Sequence, residues 1–154
     1  MTQHGLAWRL EHSVDVDVPC AFAWAYMSNI SNWDDPPATF ELDGPFTDGA
    51  RGTTCMPDQP AMSWTLRDVH PERGYTIVGG ELLDRARMIV RWQFAPISAT
   101  KARLTQRMEL TGENAAAYVE PIAAAFGPNI QPGMQRIAGL MVRAFNKQSR
   151  SAIG

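Results

Sequence analysis

Between residues 38 and 110 hydrophobic side chains recur at every second position, and this period constrains the fold more than any other feature of the chain. Six runs carry it, at 38–42, 52–56, 62–69, 75–82, 88–95 and 103–110. Turn formers separate them: Gly44-Pro45, Asp48-Gly49, Pro57-Asp58, and the segments 71–74 and 96–100. Strands joined this tightly pair with their sequence neighbours, so the pattern predicts an antiparallel meander.

The phase of the runs assigns faces. Met62, Trp64 and Leu66 share one face, as do Met88, Val90, Trp92 and Phe94, and Leu104, Gln106, Met108 and Leu110. The alternate positions are polar: Ser63, Thr65 and Arg67; Arg87, Arg91 and Gln93; Arg103, Thr105, Arg107 and Glu109. One face of the sheet is therefore apolar and aromatic and needs a cover. The cover is the C-terminal segment 131–148, where Met134, Ile137, Ala138, Met141, Ala144 and Phe145 fall at helical spacing and Gln135, Arg136, Arg143, Asn146 and Lys147 lie opposite. Gly127, Pro128, Pro132 and Gly133 part it from a second helix-like run, 113–126, and predict a break across 127–133.

Upstream of the meander, Val14, Val16 and Val18 alternate with Ser13, Asp15 and Asp17, which predicts a half-buried strand over 13–18. Pro19 then opens a short helix over 20–29, carried by Phe22, Ala23, Tyr26 and Met27, with a further helical turn around Ser31. The double proline after Asp34-Asp35 makes that acidic pair a solvated turn. Gly79-Gly80 reads as a bulge or bend inside a strand.

Composition narrows the function. At 154 residues, 45% of them hydrophobic and 19% charged, the chain suits one domain spanning 1–154 with a sizeable core. A net charge of −2 and the lack of a basic stripe argue against nucleic acid. No signal-peptide core or membrane-length apolar run is present, so a cytoplasmic protein without stable membrane insertion is expected. Cys20 and Cys55 read as reduced structural thiols, and His4, His12 and His70 are scattered without ligand spacing, so neither metal nor cofactor is expected. Nucleophile-elbow, phosphate-loop and dinucleotide motifs are missing. Oligomeric state is left open.

The order of strand, short helices, six antiparallel strands and long terminal helix resembles the START-like or Bet v 1-like superfamily, also called SRPBCC. Within it the chain is similar to the polyketide cyclase/dehydrase and lipid-transport group. Four local blocks carry the resemblance: Val18-Pro19 leading into Phe22-Ala23-Trp24, Met27-Ser28-Asn29 and Asn32-Trp33; the segment 44–52 with its glycine spacing; 64–69 followed by Glu72-Arg73-Gly74-Tyr75-Thr76; and 102–107. The resemblance implies an α+β helix-grip fold, in which a curved antiparallel sheet wraps a long C-terminal helix and two short helices follow the first strand. It also implies a cavity between sheet and helix that holds hydrophobic ligands in many members and is a catalytic chamber in some. Asn29 stands where many members have Asp.

Within that frame Trp64, Trp92, Gln106 and Met108 on the sheet, and Met134, Ile137, Met141 and Phe145 on the helix, are the candidate ligand-binding residues. A buried amide needs a partner, so Gln106 either bonds within the protein or meets a ligand. Glu81 shares its phase with Tyr75 and Ile77, and a carboxylate desolvated there would serve as an acid or base; the alternative is a strand-end charge in water. The partner expected is a lipid-like or polyketide-like small molecule. A polyketide cyclase, aromatase or dehydratase using Gln106 or Glu81 is the enzymatic alternative, and a protein-interaction module with a filled core is a third. Arg136, Arg143, Lys147 and Arg150 give the helix a basic outer face, read as solvated. The 127–133 break is a candidate gate.

Overall fold

The computed structural model of the protein describes residues 6–33, 35–80 and 83–153, the last four of them as backbone only. Seven strands form one antiparallel sheet: β1 (Leu6–Val16), β2 (Thr39–Asp43), β3 (Arg51–Cys55), β4 (Met62–His70), β5 (Gly74–Gly79), β6 (Arg87–Ser98) and β7 (Lys101–Thr111). Their order in space is β1-β7-β6-β5-β4-β3-β2, so the meander pairs neighbour with neighbour and β1 returns to the side of β7. Between β1 and β2 lie the helix α1 (Cys20–Met27) and a single 3₁₀ turn, Ile30–Asn32. After β7 a 3₁₀ turn, Ala115–Tyr118, leads into α2 (Val119–Phe126) and the terminal helix α3 (Ile130–Ile153).

The meander and the terminal helix agree with the period of the sequence, and the differences have local causes. β1 begins seven residues before the expected run 13–18, because Trp8, Leu10 and His12 continue the inward alternation of Val14 and Val16 against β7. β5 ends at Gly79, and Gly80 takes φ +97°, a turn conformation rather than a bulge within the strand; the last two residues of the expected run, 81 and 82, lie outside the described residues. The expected 96–100 turn tightens to Ala99 and Thr100, since Ser98 still pairs with Lys101. The predicted break at 127–133 shrinks to residues 127–129. Pro132 and Gly133 lie in the first turn of α3, where a proline donor is not needed and the Gly133 amide donates to the Asn129 carbonyl at 3.0 Å.

Helix α1 starts as expected at Pro19, whose carbonyl accepts from the Ala23 amide at 3.0 Å. It ends at Met27, two residues short of the expected 29, because Asn29 starts the next turn: its side-chain oxygen accepts from the Ser31 amide and hydroxyl, capping the 3₁₀ turn that follows. Helix α3 lies along β1 and touches α1, with Met134, Ala138 and Met141 buried toward the concave face of the sheet. Its outward Arg136, Arg143 and Lys147 are exposed. The sheet bends where β4 slips register between Arg67 and His70, with Asp68 at φ +52°.

Candidate functional site

Register sorts the concave face into rows that cross the sheet. One row runs Tyr75, Trp92, Gln106, His12 across β5, β6, β7 and β1. The next toward the α2 side runs Ile77, Val90, Met108, Leu10, and the one beyond it Gly79, Met88, Leu110, Trp8. On the other side lie Phe94, Leu104 and Val14.

Two ends of this face differ in kind. At the α1 end an aromatic cluster fills the space: the Tyr75 ring lies 5.0 Å from Phe46, 6.1 Å from Trp24 and 6.2 Å from Phe94, centroid to centroid. Trp33 stacks between Trp64 and Tyr75 at 5.6 and 6.3 Å, and its indole N–H donates to the Met27 carbonyl at 2.8 Å. The Trp64 indole donates to the Thr54 hydroxyl at 2.9 Å and its ring lies over Gly52, where a Cβ would come within 2.1 Å of it. Only glycine leaves room there for the indole. At the α2 end Ile77, Met88 and Val90 are half-buried, although β5 and β6 are interior strands. Gly79 puts no side chain between Trp64 and Met88. In the same rows Met108 and Leu110 are buried, so the accessible part of the concavity lies on its β5 and β6 side.

The residues expected to line a site divide accordingly. Trp92, Met108, Met134 and Met141 are buried, and Ile137 and Gln106 are half-buried. Trp64 joins the aromatic cluster through Trp33 and stands beside Gly79. Phe145 lies at the α1 end, edge-on to Phe22 at 5.0 Å. Glu81 lies outside the described residues.

The inward place of His12 and the central role of Tyr75 are not immediately evident from the sequence. His12 faces Gln106 across the β1/β7 pair, half-buried between Leu10 and Val14, and neither polar side chain has a hydrogen-bond partner among the described residues. The signal was available: extending the alternation of Val14 and Val16 backwards places His12 on the inner face. Tyr75 is the hub of the aromatic cluster, and its hydroxyl is buried without a partner. Burial pushes that phenol well above the ordinary tyrosine range. Burial also raises the thiol of Cys20, whose Sγ–H points at the Glu72 carbonyl at 3.5 Å. Among the described residues no cluster of His, Cys, Asp and Glu gathers to hold a metal ion, and no helix is long and apolar enough to cross a membrane.

A seven-stranded antiparallel sheet closed around a long terminal helix, with short helices after its first strand, is a helix-grip protein. Solved structures share the arrangement. Norcoclaurine synthase from Thalictrum flavum, a point mutant in complex with a transition-state analogue, superposes with a TM-score of 0.68 at 15% identity, over 89% of this chain and 95% of that one. The Zhui aromatase/cyclase from Streptomyces sp. R1128 does so with a TM-score of 0.63 at 16% identity, over 96% and 98%. A protein from Arthrobacter aurescens gives 0.67 at 18% identity, over 89% and 87%. At these identities the likeness is one of fold. The chain belongs to the polyketide cyclase / dehydrase and lipid transport family, which matches residues 7–142. Comparison with curated protein sequences gives no match.

Proposed function

We propose that the chain, as one domain, binds a hydrophobic or aromatic small molecule between α3 and the accessible rows of the concave face. The half-burial of Ile77, Met88 and Val90 on interior strands carries this reading. Met108, Met134, Ile137 and Met141 supply an apolar wall of adaptable shape. Trp92 forms the floor toward the aromatic cluster, and Gln106 with His12 offers a polar end to a carbonyl or hydroxyl. Burying ligand area contributes about 25 cal/mol per Å² before ordering costs.

The pairing of His12 with Gln106 favours a second reading, in which the same chamber is a cyclase or aromatase site. There the Gln106 amide donates to a substrate carbonyl while the His12 imidazole moves a proton, as positions within hydrogen-bond reach of one bound group permit. The Zhui aromatase/cyclase is a fold neighbour of this kind.

The test uses the neutral fluorophore N-phenyl-1-naphthylamine. Saturable binding with tryptophan quenching is expected, together with its loss in Val90→Trp, which fills the open rows while circular dichroism stays unchanged. Failure of the wild-type chain to bind this and other neutral aromatic probes would remove the interior site and favour the filled-core interaction module. For the enzymatic reading, His12→Gln should keep probe binding and lose turnover of a poly-β-ketone substrate; equal turnover excludes His12.

A further inference from the structure

The outer face of the sheet holds a feature unrelated to the interior. Three of its arginines on β6 and β7 are matched with carboxylates, Arg91 with Glu109 at 2.8 Å, Arg103 with Asp15 at 2.8 Å and Arg107 with Glu11 at 2.6 Å, whereas, among the described residues, Arg9 on β1 is not. Arg67 on β4 and Arg87 at the start of β6 are unmatched as well, and they share a hollow. Neither has a hydrogen bond or ion pair among the described residues. Both line one hollow of about 770 Å³, whose apolar floor is Val78, Ile89 and Leu83. That size falls within the range of small-molecule sites.

The hollow is a built structure. Glycines at 79, 80 and 112 leave part of its wall without side chains. Residues 84 and 85 are tied to the 3₁₀ turn that follows β7: the Asp84 amide donates to the Tyr118 hydroxyl at 2.8 Å, the Asn114 amide to the Arg85 carbonyl at 2.9 Å, and the Asn114 side chain to the Asp84 carbonyl at 3.1 Å. Arg85, on the same wall, is already met by Asp84 and Glu113, each at 3.5 Å, so among the described residues of the hollow the unmatched charge is that of Arg67 and Arg87.

Their separation defines the ligand. Arg67 shares a register row with Thr76 and Arg91, and Arg87 precedes Arg91 by four residues. At about 3.3 Å per residue they stand roughly 13 Å apart along the strands, and, with β5 between β4 and β6, a further ~10 Å apart across them, with the apolar row of Val78 and Ile89 between. We propose that this hollow is a second small-molecule site, for an elongated organic anion that carries an acidic group at each end of an apolar body. Each guanidinium presents a fork that fits a carboxylate, and the floor takes the apolar middle.

Naphthalene-2,6-dicarboxylate is the probe. Titrated into the ¹⁵N-labelled full chain, it should shift the amides of Gly80, Ile89 and Gly112 saturably. Arg67→Gln and Arg87→Gln should each weaken binding about tenfold or more, as the loss of one charged hydrogen bond implies. The dimethyl ester should not bind, and benzoate should bind more weakly. The proposal is overturned by shifts confined to interior residues such as Gln106, by an ester that binds as well as the diacid, by benzoate binding equally, or by either variant binding unchanged.

Discussion

The ring of Tyr75 makes five aromatic neighbours, the nearest at 5.0 Å and the farthest at 6.4 Å, so it anchors the closed end of the concave face. Its hydroxyl is the one discordant atom there, since a buried donor without a partner costs about 1–3 kcal/mol. Tyr75→Phe should therefore leave stability at neutral pH unchanged or raise it by about 1 kcal/mol in urea denaturation; a loss larger than that would mean that the hydroxyl has a partner. The alkaline limb gives a second reading. The folded-state pKa lies above the unfolded value of about 10, so the stability linked to this phenol is complete below that pH and is lost as pH rises beyond it, because the unfolded chain releases the proton first. The variant should show a flatter decline than wild type between about pH 10 and 11. The inward phase of Trp64 and Trp92 was legible in the sequence; the convergence on Tyr75 was not, because Trp33 and Phe46 arrive from irregular segments that carry no period. His12 was missed for a different reason: an imidazole at an inward position interrupts the apolar alternation that marks a buried face.

Helix α3 illustrates how breakers are read at the level of an element. Pro132 and Gly133 suggested a break, yet a proline within the first three positions leaves no helical hydrogen bond unmade, so the helix simply starts earlier, at Ile130. Gly133 thus lies inside the helix, and the junction is confined to residues 127–129. A Cβ added at Gly133 or at Gly139 would meet nothing within 4 Å, and both sit in helical backbone. Gly133→Ala and Gly139→Ala should each stabilise the fold by about 0.5–1 kcal/mol, and together nearly additively, raising Tm by a few degrees. A destabilised single variant in calorimetry would place a helix distortion at that residue. Gly127 behaves otherwise: its Cβ would lie 2.7 Å from the Ala123 carbonyl oxygen, which fixes the real junction between α2 and α3 there. Strand existence and phase followed from the period of two, whereas strand ends depended on backbone conformation at single residues, as Gly80 shows, and those angles leave little trace in hydrophobicity.

Across the molecule, α1 and the aromatic cluster close one end of the gripped helix, and α2 leaves the sheet at the other, where β7 ends in the row of Met88. No residue of α2 is buried, and its apolar face, Val119, Ile122, Ala123 and Phe126, is only half-covered or exposed. Leu110, Ala115, Ile130 and Met134 are nevertheless buried at that end, so its accessible part is confined to β5, β6 and α2. Two consequences follow for a ligand held at the open rows. Because it binds only the native state, N-phenyl-1-naphthylamine at a hundredfold excess over Kd should stabilise the fold by about 2.7 kcal/mol. For a chain of this length that amounts to roughly 5–10 °C in Tm. Hydrogen exchange should locate the effect: in the free protein the amides of α2 exchange by local opening, faster than those of β6 and β7, and on binding they slow, while β6 and β7 slow only as much as the global stability rises. A rise in Tm without slower exchange in α2 would place the ligand away from the open rows, and no rise at saturating probe would remove the interior site altogether.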